Sequence, residues 1–593
     1  VHRCVFSMVT GVQTCALPIC MGPSTVIMVD DAPDYDPMDD WLTMVFVEPG
    51  AGFHCGLRNL VLDGNRANVE PIPVQGIEMY PAPVVKEFTL EDVTIRNCSA
   101  NGVIVGTSLL PTFLPVLLLD NVTITNCAGG LILDKCDARI SNSRIVGSGG
   151  FLQDGIYFSS GTSLTLVNTD VIGFTGNGIV CTNGGKSIAI HGGRIHGEFG
   201  NVLLWNVQDI LIDGPRLPPN FAGHSLEIFG DVDPALIPKR IHITNTEITQ
   251  SGATGIRIEL TEDLIDEGEA LRDIEISNCQ IFEPVAQGIF VRGANGVLIQ
   301  GCNIQNTGTQ AVNTVQVRGM RMLGNYIYRA GQEGLLTQDT SDSVINGNDI
   351  LESGHHGISM SDFAGSGLGS VGNEVTENRI EASSQNADRL SSNVRLFVAH
   401  QNNIQSNILR MGGLANRPIY GIWIGSGADR NFVSNNDAYQ AGADDDVRND
   451  SATTVTAAGN RTTTSSTSWT YTRNYGLGAT QPATVYLSLS GDGPATPTRG
   501  ANATLIPYAG IIRRADYVLI EGGGDFDLRL YMNGAPTGFV FAVRGQPAGT
   551  VWSIADQPFI TPANAVLHWQ IEPVGGGPVP VHAGCLVTSF AKK

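Results

Sequence analysis

The sequence predicts an all-β chain that coils into a parallel solenoid and ends in a separate antiparallel β-domain. Three observations carry this. A glycine followed by an apolar-x-apolar triplet recurs along most of the chain. A second, bend-forming frame precedes many of those glycines by about ten residues. Both frames stop near residue 460, where alternating strands with Gly/Pro turns take over.

The glycine frame reads GIEM at Gly76, GVIV at Gly102, GLIL at Gly130, GIYF at Gly155, GIVC at Gly178, GIRI at Gly255, GIFV at Gly288, GLLT at Gly334, GISM at Gly357 and GIWI at Gly421. Weaker copies begin at Asn201, Ser225 and Ala311. Ser225, Gly255, Gly288, Ala311, Gly334 and Gly357 are 30, 33, 23, 23 and 23 residues apart, so a basal repeat of 23 carries insertions. A fixed period in this range is the mark of a solenoid.

The bend frame is apolar, x, Asn or Gly, x, x, apolar. It reads ISNSRI from Ile140, LVNTDV from Leu166, ITNTEI from Ile243, ISNCQI from Ile276, IQGCNI from Ile299, INGNDI from Ile345 and VTENRI from Val375. Asn and Gly tolerate the left-handed backbone of a sharp bend. Each coil is therefore two or three short strands, stacked about 4.8 Å above the last. The residue after the bend is Cys279, Cys302, Asn325, Asn348, Asn378 and Asn436 in successive or near-successive coils, which predicts a ladder of stacked side chains.

These frames resemble the right-handed parallel β-helix superfamily of pectate-lyase-like proteins, over roughly residues 56 to 460. The resemblance implies a fold, and a superfamily of lyases, hydrolases, epimerases and phage fibres implies no single chemistry. The expected organisation is 21–460 right-handed parallel β-helix, 461–483 Ser/Thr-rich linker or neck, and 484–593 antiparallel β-sandwich. The last segment resembles the modules that end many phage tail fibres and tailspikes, which implies trimerisation or glycan/receptor binding; Trp552 and Trp569 are expected in its core, with a sugar-binding patch as the alternative. Residues 1–20 are set aside as an assembly artefact, because VTGVQTCALPI at Val9–Ile19 resembles a translated sequencing adapter, and the natural chain is expected to begin further upstream.

Composition narrows the function. With 57 acidic and 35 basic residues the net charge is -22, which argues against nucleic acid as a partner and weighs against a strongly polyanionic substrate, a local basic groove excepted. No apolar run approaches the ~20 residues that span a bilayer, so no membrane partner is expected. Of the 11 cysteines, three lie in the suspect leader and the rest are spaced as coil fillers, small buried hydrophobes rather than disulfides.

Two clusters of insertions mark candidate cleft walls. The first comprises Gly230–Pro238 and Thr261–Ala270; the second comprises Ser361–Leu368, Ala382–Asn393 and Met411–Tyr420. Alternation in the glycine strand points every second residue outward. Beside the first cluster that outward stripe reads Trp205, then Glu227 and Phe229, then Arg257 and Glu259, then Phe290 and Arg292. Aromatic rings beside paired carboxylates and guanidinium groups suit a sugar chain.

Glu227 and Glu259, one coil and two residues apart, have backbones about 8 Å apart by strand geometry, and glycoside hydrolysis needs one carboxylic acid and one carboxylate. An exposed Glu-Arg-Glu salt-bridge ladder is the structural alternative. The second cluster supplies further candidates in Asp339, His356, Asp362, Asp388 and Trp423. GHHGIS at Gly354 resembles the GHG element of polygalacturonases. Only Gln338-Asp339 and RIE at Arg379 stand where that family has paired aspartates and Arg-Ile-Lys, so His355 and His356 are expected as exposed corner residues.

The expected protein binds, and cleaves as hydrolase or lyase, a surface polysaccharide; the alternative is a non-catalytic fibre or adhesin. It is expected to be a homotrimer at a virion or extracellular surface. No cofactor is required, and Ca2+ is the ion to test.

Overall fold

A computed structural model describes residues 25–28, 42–47, 54–65, 73–79, 87–106, 114–149 and 153–463 except 184, 232, 457 and 458, and most strands between 468 and 592. The leader expected at 1–20 and most of the apolar insertion at 108–115 lie outside the described residues. The chain divides into two compact units, Val1–Val433 with Ala441–Val455 and Ser434–Gln440 with Thr456–Lys593.

The first unit is a parallel β-solenoid; about 14 turns form the whole coil. The glycine strands stack in register: Leu226–Gly230 on Ile256–Leu260, then on Ile289–Gln300, Val312–Arg318, Leu335–Gln338, Ile358–Ser361, Ser392–Leu396 and Tyr420–Ile424. One inward column therefore runs Ile228, Ile258, Val291, Thr314, Thr337, Met360, Leu396 and Ile424, all fully buried. Each large aliphatic member contributes roughly 1.5–3 kcal/mol by leaving water. A separate eight-stranded parallel sheet, from Arg216–Leu217 to Ile408–Arg410, closes another side of the coil.

The bends are where the spacing places them. Asn142, Asn168, Asn245 and Asn278 have φ between 48° and 54°, and Gly301 and Gly347 have φ of 62° and 66°. At Gly334 the reason for glycine is close approach: a Cβ there would lie 2.7 Å from the Gly357 carbonyl oxygen of the next coil. Inside the bend the amide ladder forms. Asn325 Nδ2 donates to Asn348 Oδ1 at 2.9 Å, Asn348 to Asn378 at 2.8 Å, and Asn378 to Asn407 at 3.0 Å. A second ladder, unforeseen in the sequence, links Asn373, Asn402 and Asn431. The six described cysteines are buried and free.

In the second unit Asn436 donates to Asn460 at 3.0 Å. Two antiparallel sheets follow. Tyr517 of one packs on Phe526 and Phe541 of the other, and Phe541 stacks on the buried Trp569 at 5.5 Å. The Trp552 side chain lies outside the described residues. The expected linker 461–483 needs correcting: Ser468–Gly476 is a strand, paired antiparallel with Ala583–Ala591. Its Thr residues alternating with aromatic residues favour extended backbone over a flexible neck.

Candidate functional site

Strand register assembles the first cluster. Trp205 pairs with Phe229, Phe229 with Glu259, and Glu259 with Arg292; alongside, Glu227 pairs with Arg257 and Arg257 with Phe290. These two outward columns form one face. Trp205 is 38% exposed and meets Phe229 edge to face at 6.4 Å.

Arg257 sits between the two glutamates. Its Nη1 donates to Glu227 Oε1 at 3.1 Å and its Nε to Glu259 Oε2 at 2.8 Å. Arg292 Nη1 adds a contact to Glu259 Oε1 at 3.5 Å, and Arg292 Nη2 lies 3.2 Å from Glu262 Oε2. Glu262 belongs to a short helix, Glu262–Asp266, built by the Thr261–Ala270 insertion and anchored by the buried Leu264. Glu259 is only 8% exposed, a depth made tolerable by its two guanidinium partners. Glu227 is less tightly held. Burial raises its pKa, Arg257 pulls it back, and Glu259 adds to the rise.

His224 completes this group. Its Nε2 lies 2.9 Å from Arg257 Nη1 and 3.9 Å from Glu227 Oε1, and its Nδ1 faces the Thr254 N–H at 3.2 Å. Burial, then Arg257, lowers its pKa to about 4, so at neutral pH it is an uncharged imidazole. It sits one residue before the weak Ser225 frame, at the corner position, and that was its only signal.

The second cluster separates into different roles. Asp339 accepts from Ser366 Oγ at 2.8 Å and from the Gly369 N–H at 2.9 Å, and Asp362 accepts from the Gly367 N–H at 3.2 Å. Both carboxylates organise the 361–369 loop. That loop carries Phe363 back over the Arg292 guanidinium, 5.0 Å from the ring centroid, so the two insertion clusters meet on one face. Asp388 pairs with Arg417 at 3.3 Å.

His356 is a correction. It is 6% exposed rather than an exposed corner, and its Nδ1 accepts the Ser392 N–H of the next coil at 2.9 Å, which satisfies the buried ring nitrogen. Burial, then Arg395, lowers its pKa to about 3. Its neighbour His355 is half-exposed and faces the buried Glu333 at 3.6 Å. Trp423 donates its indole N–H to Asp450 at 3.1 Å and lies 6.3 Å from Tyr420.

Among the described residues no group of three or more His, Cys, Asp or Glu side chains is placed to share a metal ion, and no helix is long and apolar enough to cross a membrane.

The chain matches the family described as right handed beta helix region over residues 65–213 and 264–438, more than half of its length, and it belongs to that family. No curated protein matches it. Among solved structures it is similar to the periplasmic alginate epimerase AlgG, at 14% identity and a TM-score of 0.32, over 56% of this chain and 66% of the epimerase. It is similar to tailspike protein 3 of bacteriophage CBA120 at 11% identity and a TM-score of 0.31, over 68% of this chain and 55% of that one. A third is the tailspike protein of E. coli bacteriophage HK620 in complex with pentasaccharide, at 10% identity and a TM-score of 0.30, over 96% and 87%. The chain thus spans less than two thirds of the length of the first and second of these. Identities and scores this low do not carry chemistry from one chain to another.

Proposed function

We propose that the outward sheet face from Trp205 to Trp423 binds a surface polysaccharide and that Glu227 and Glu259 cleave it. The observation that supports this most is the pair of carboxylates on adjacent coils, unequal in environment and bridged by Arg257, beside an exposed tryptophan ring. Unequal environments are how two carboxylates take different roles. Glu227, its pKa raised by burial, is the proton donor to the leaving oxygen. Glu259, hydrogen-bonded by Arg257 and facing Arg292, is the carboxylate partner. Trp205 supplies a stacking face for a sugar ring.

A second reading is glycan binding without cleavage, as in a fibre or adhesin. One observation favours it: Arg257 occupies both carboxylates at once, as in a salt-bridge ladder. Incubation with capsular, O-antigen and plant or algal polysaccharides separates the two. Shortened products, read by size and by ultraviolet absorbance for unsaturated ends, support cleavage; retention without shortening supports the adhesin.

For assembly, the proposal is a homotrimer on a virion or extracellular surface, with the carboxy-terminal domain taking part. Phe199 and Phe221 are 54 and 79% exposed at one corner of neighbouring coils, and Val285, 67% exposed, lies at the same corner two coils further on, an apolar ridge that a second copy would cover.

A further inference from the structure

Arg395 lies on the same outward column as Glu227, through Arg257, Phe290, Asn313, Leu336 and Ser359. Six coil steps at about 4.8 Å place it roughly 29 Å along the axis. Its guanidinium carbon is 4.5 Å from the Phe397 ring centroid and 5.2 Å from that of Trp423. The guanidinium thus lies over two aromatic rings.

That edge is unmatched. Among the described residues no carboxylate lies in ion-pair range of Arg395, and its Nε is buried without an acceptor. Glu333 acts on it only through space. The contrast with its surroundings is sharp: Arg257 and Arg292 are held by glutamates, and next to Trp423 both Arg448 and the indole N–H are taken by Asp450. A half-buried guanidinium gives up part of its hydration, and Asp450 has been spent on its neighbours. Its free terminal nitrogens suit a planar, two-oxygen acceptor arriving in the plane of the fork.

We infer that Arg395 is a carboxylate-recognition site, and that the saccharide taken by this face carries acidic sugar residues, with the sugar carboxylate on the guanidinium edge and the ring beside Phe397 and Trp423. This rests on the reading of the face as polysaccharide-binding. It also locates the basic spot that a chain of net charge -22 needs in order to hold an acidic glycan. Phe397 lies just past the strand Ser392–Leu396, which is why no alternation in the sequence marks it.

The test is calorimetric binding of oligogalacturonate, oligomannuronate and oligoglucuronate, each beside its carboxyl-reduced neutral form. The intact protein should prefer at least one acidic form over its reduced counterpart by about tenfold or more, the worth of a charge-assisted hydrogen bond. Arg395→Gln should abolish that preference and leave binding of the neutral form unchanged, and Arg395→Lys should restore part of it. Thermal melting of each variant confirms folding. Equal binding of acidic and reduced forms, or a preference that survives Arg395→Gln, overturns the carboxylate site. Trp205→Ala weakening both forms alike would then show that the polysaccharide face itself stands. Binding of none of the probes also overturns the carboxylate site, while the polysaccharide face is judged separately on the capsular and O-antigen panel.

Discussion

Arg257 and Glu259 are two residues apart on one strand and joined on its outer face, Nε to Oε2 at 2.8 Å, while the same guanidinium reaches back to Glu227 on the coil below. The pleat alone dictates that they meet, since residues i and i+2 share a face. Arg257 thereby also opposes the rise that burial imposes on the Glu227 pKa.

Arg257→Gln removes the charge that opposes the burial of Glu227, so its pKa rises further. For an acid that works protonated, the alkaline limb of the kcat/KM profile moves to higher pH. Glu259 retains only Arg292, and stability falls by about 1–3 kcal/mol. A pH–rate profile and urea unfolding read the two effects separately.

Acid sensitivity follows from the buried imidazoles. His224 and His356 titrate near 4 and 3 in the folded chain and near 6.5 when unfolded, so between these values the unfolded state binds more protons. Their contribution is full above about pH 6.5 and is lost as pH falls through 4 and then 3, by up to about 3 kcal/mol for His224 and about 5 kcal/mol for His356. His356→Asn, whose side-chain oxygen can still accept from the Ser392 N–H, should flatten the decline measured by urea unfolding from pH 7 to pH 4. An unchanged slope would assign the sensitivity to other groups.

Asn348 is the middle of its ladder, accepting from Asn325 and donating to Asn378. Asn348→Leu should cost about 1–3 kcal/mol for each amide left without its partner. Thermal melting checks this, with Asn303→Leu, a half-exposed position outside the ladder, as the mild control.

Static light scattering of the intact chain should return three times the 62.9 kDa chain mass. A monomer would leave the Phe199–Phe221 ridge uncovered and remove the trimer from the proposal.

The coils were legible because two local rules fix them: Asn or Gly at the bend and alternation in the strand. Asn142, Asn245 and Gly301 bend as their types allow, and Glu227, Arg257 and Phe290 point outward together because register follows from stacking. What was illegible depends on neighbours distant in sequence. His356 is buried by the Ser392 backbone, Phe363 folds back over Arg292, and Arg395 is flanked by a ring from beyond its strand and one from the next coil. His224 and Glu333 carry no strand signal because corner residues lie outside the strand alternation. Ser468–Gly476 reads as a linker because Ser and Thr dominate its approach, while its partner strand lies over a hundred residues away.

The most direct measurement is turnover by Glu227→Gln and Glu259→Gln on a polysaccharide that the parent chain shortens. Gln keeps the shape of the side chain and cannot exchange the proton. Each variant should lose about 10²–10⁴-fold in kcat while glycan binding and melting temperature stay close to the parent's. Full activity in both variants would contradict the account and move the chemistry to another part of the face; a loss of thermal stability with turnover intact would identify Glu227, Arg257 and Glu259 as a salt-bridge ladder and nothing more.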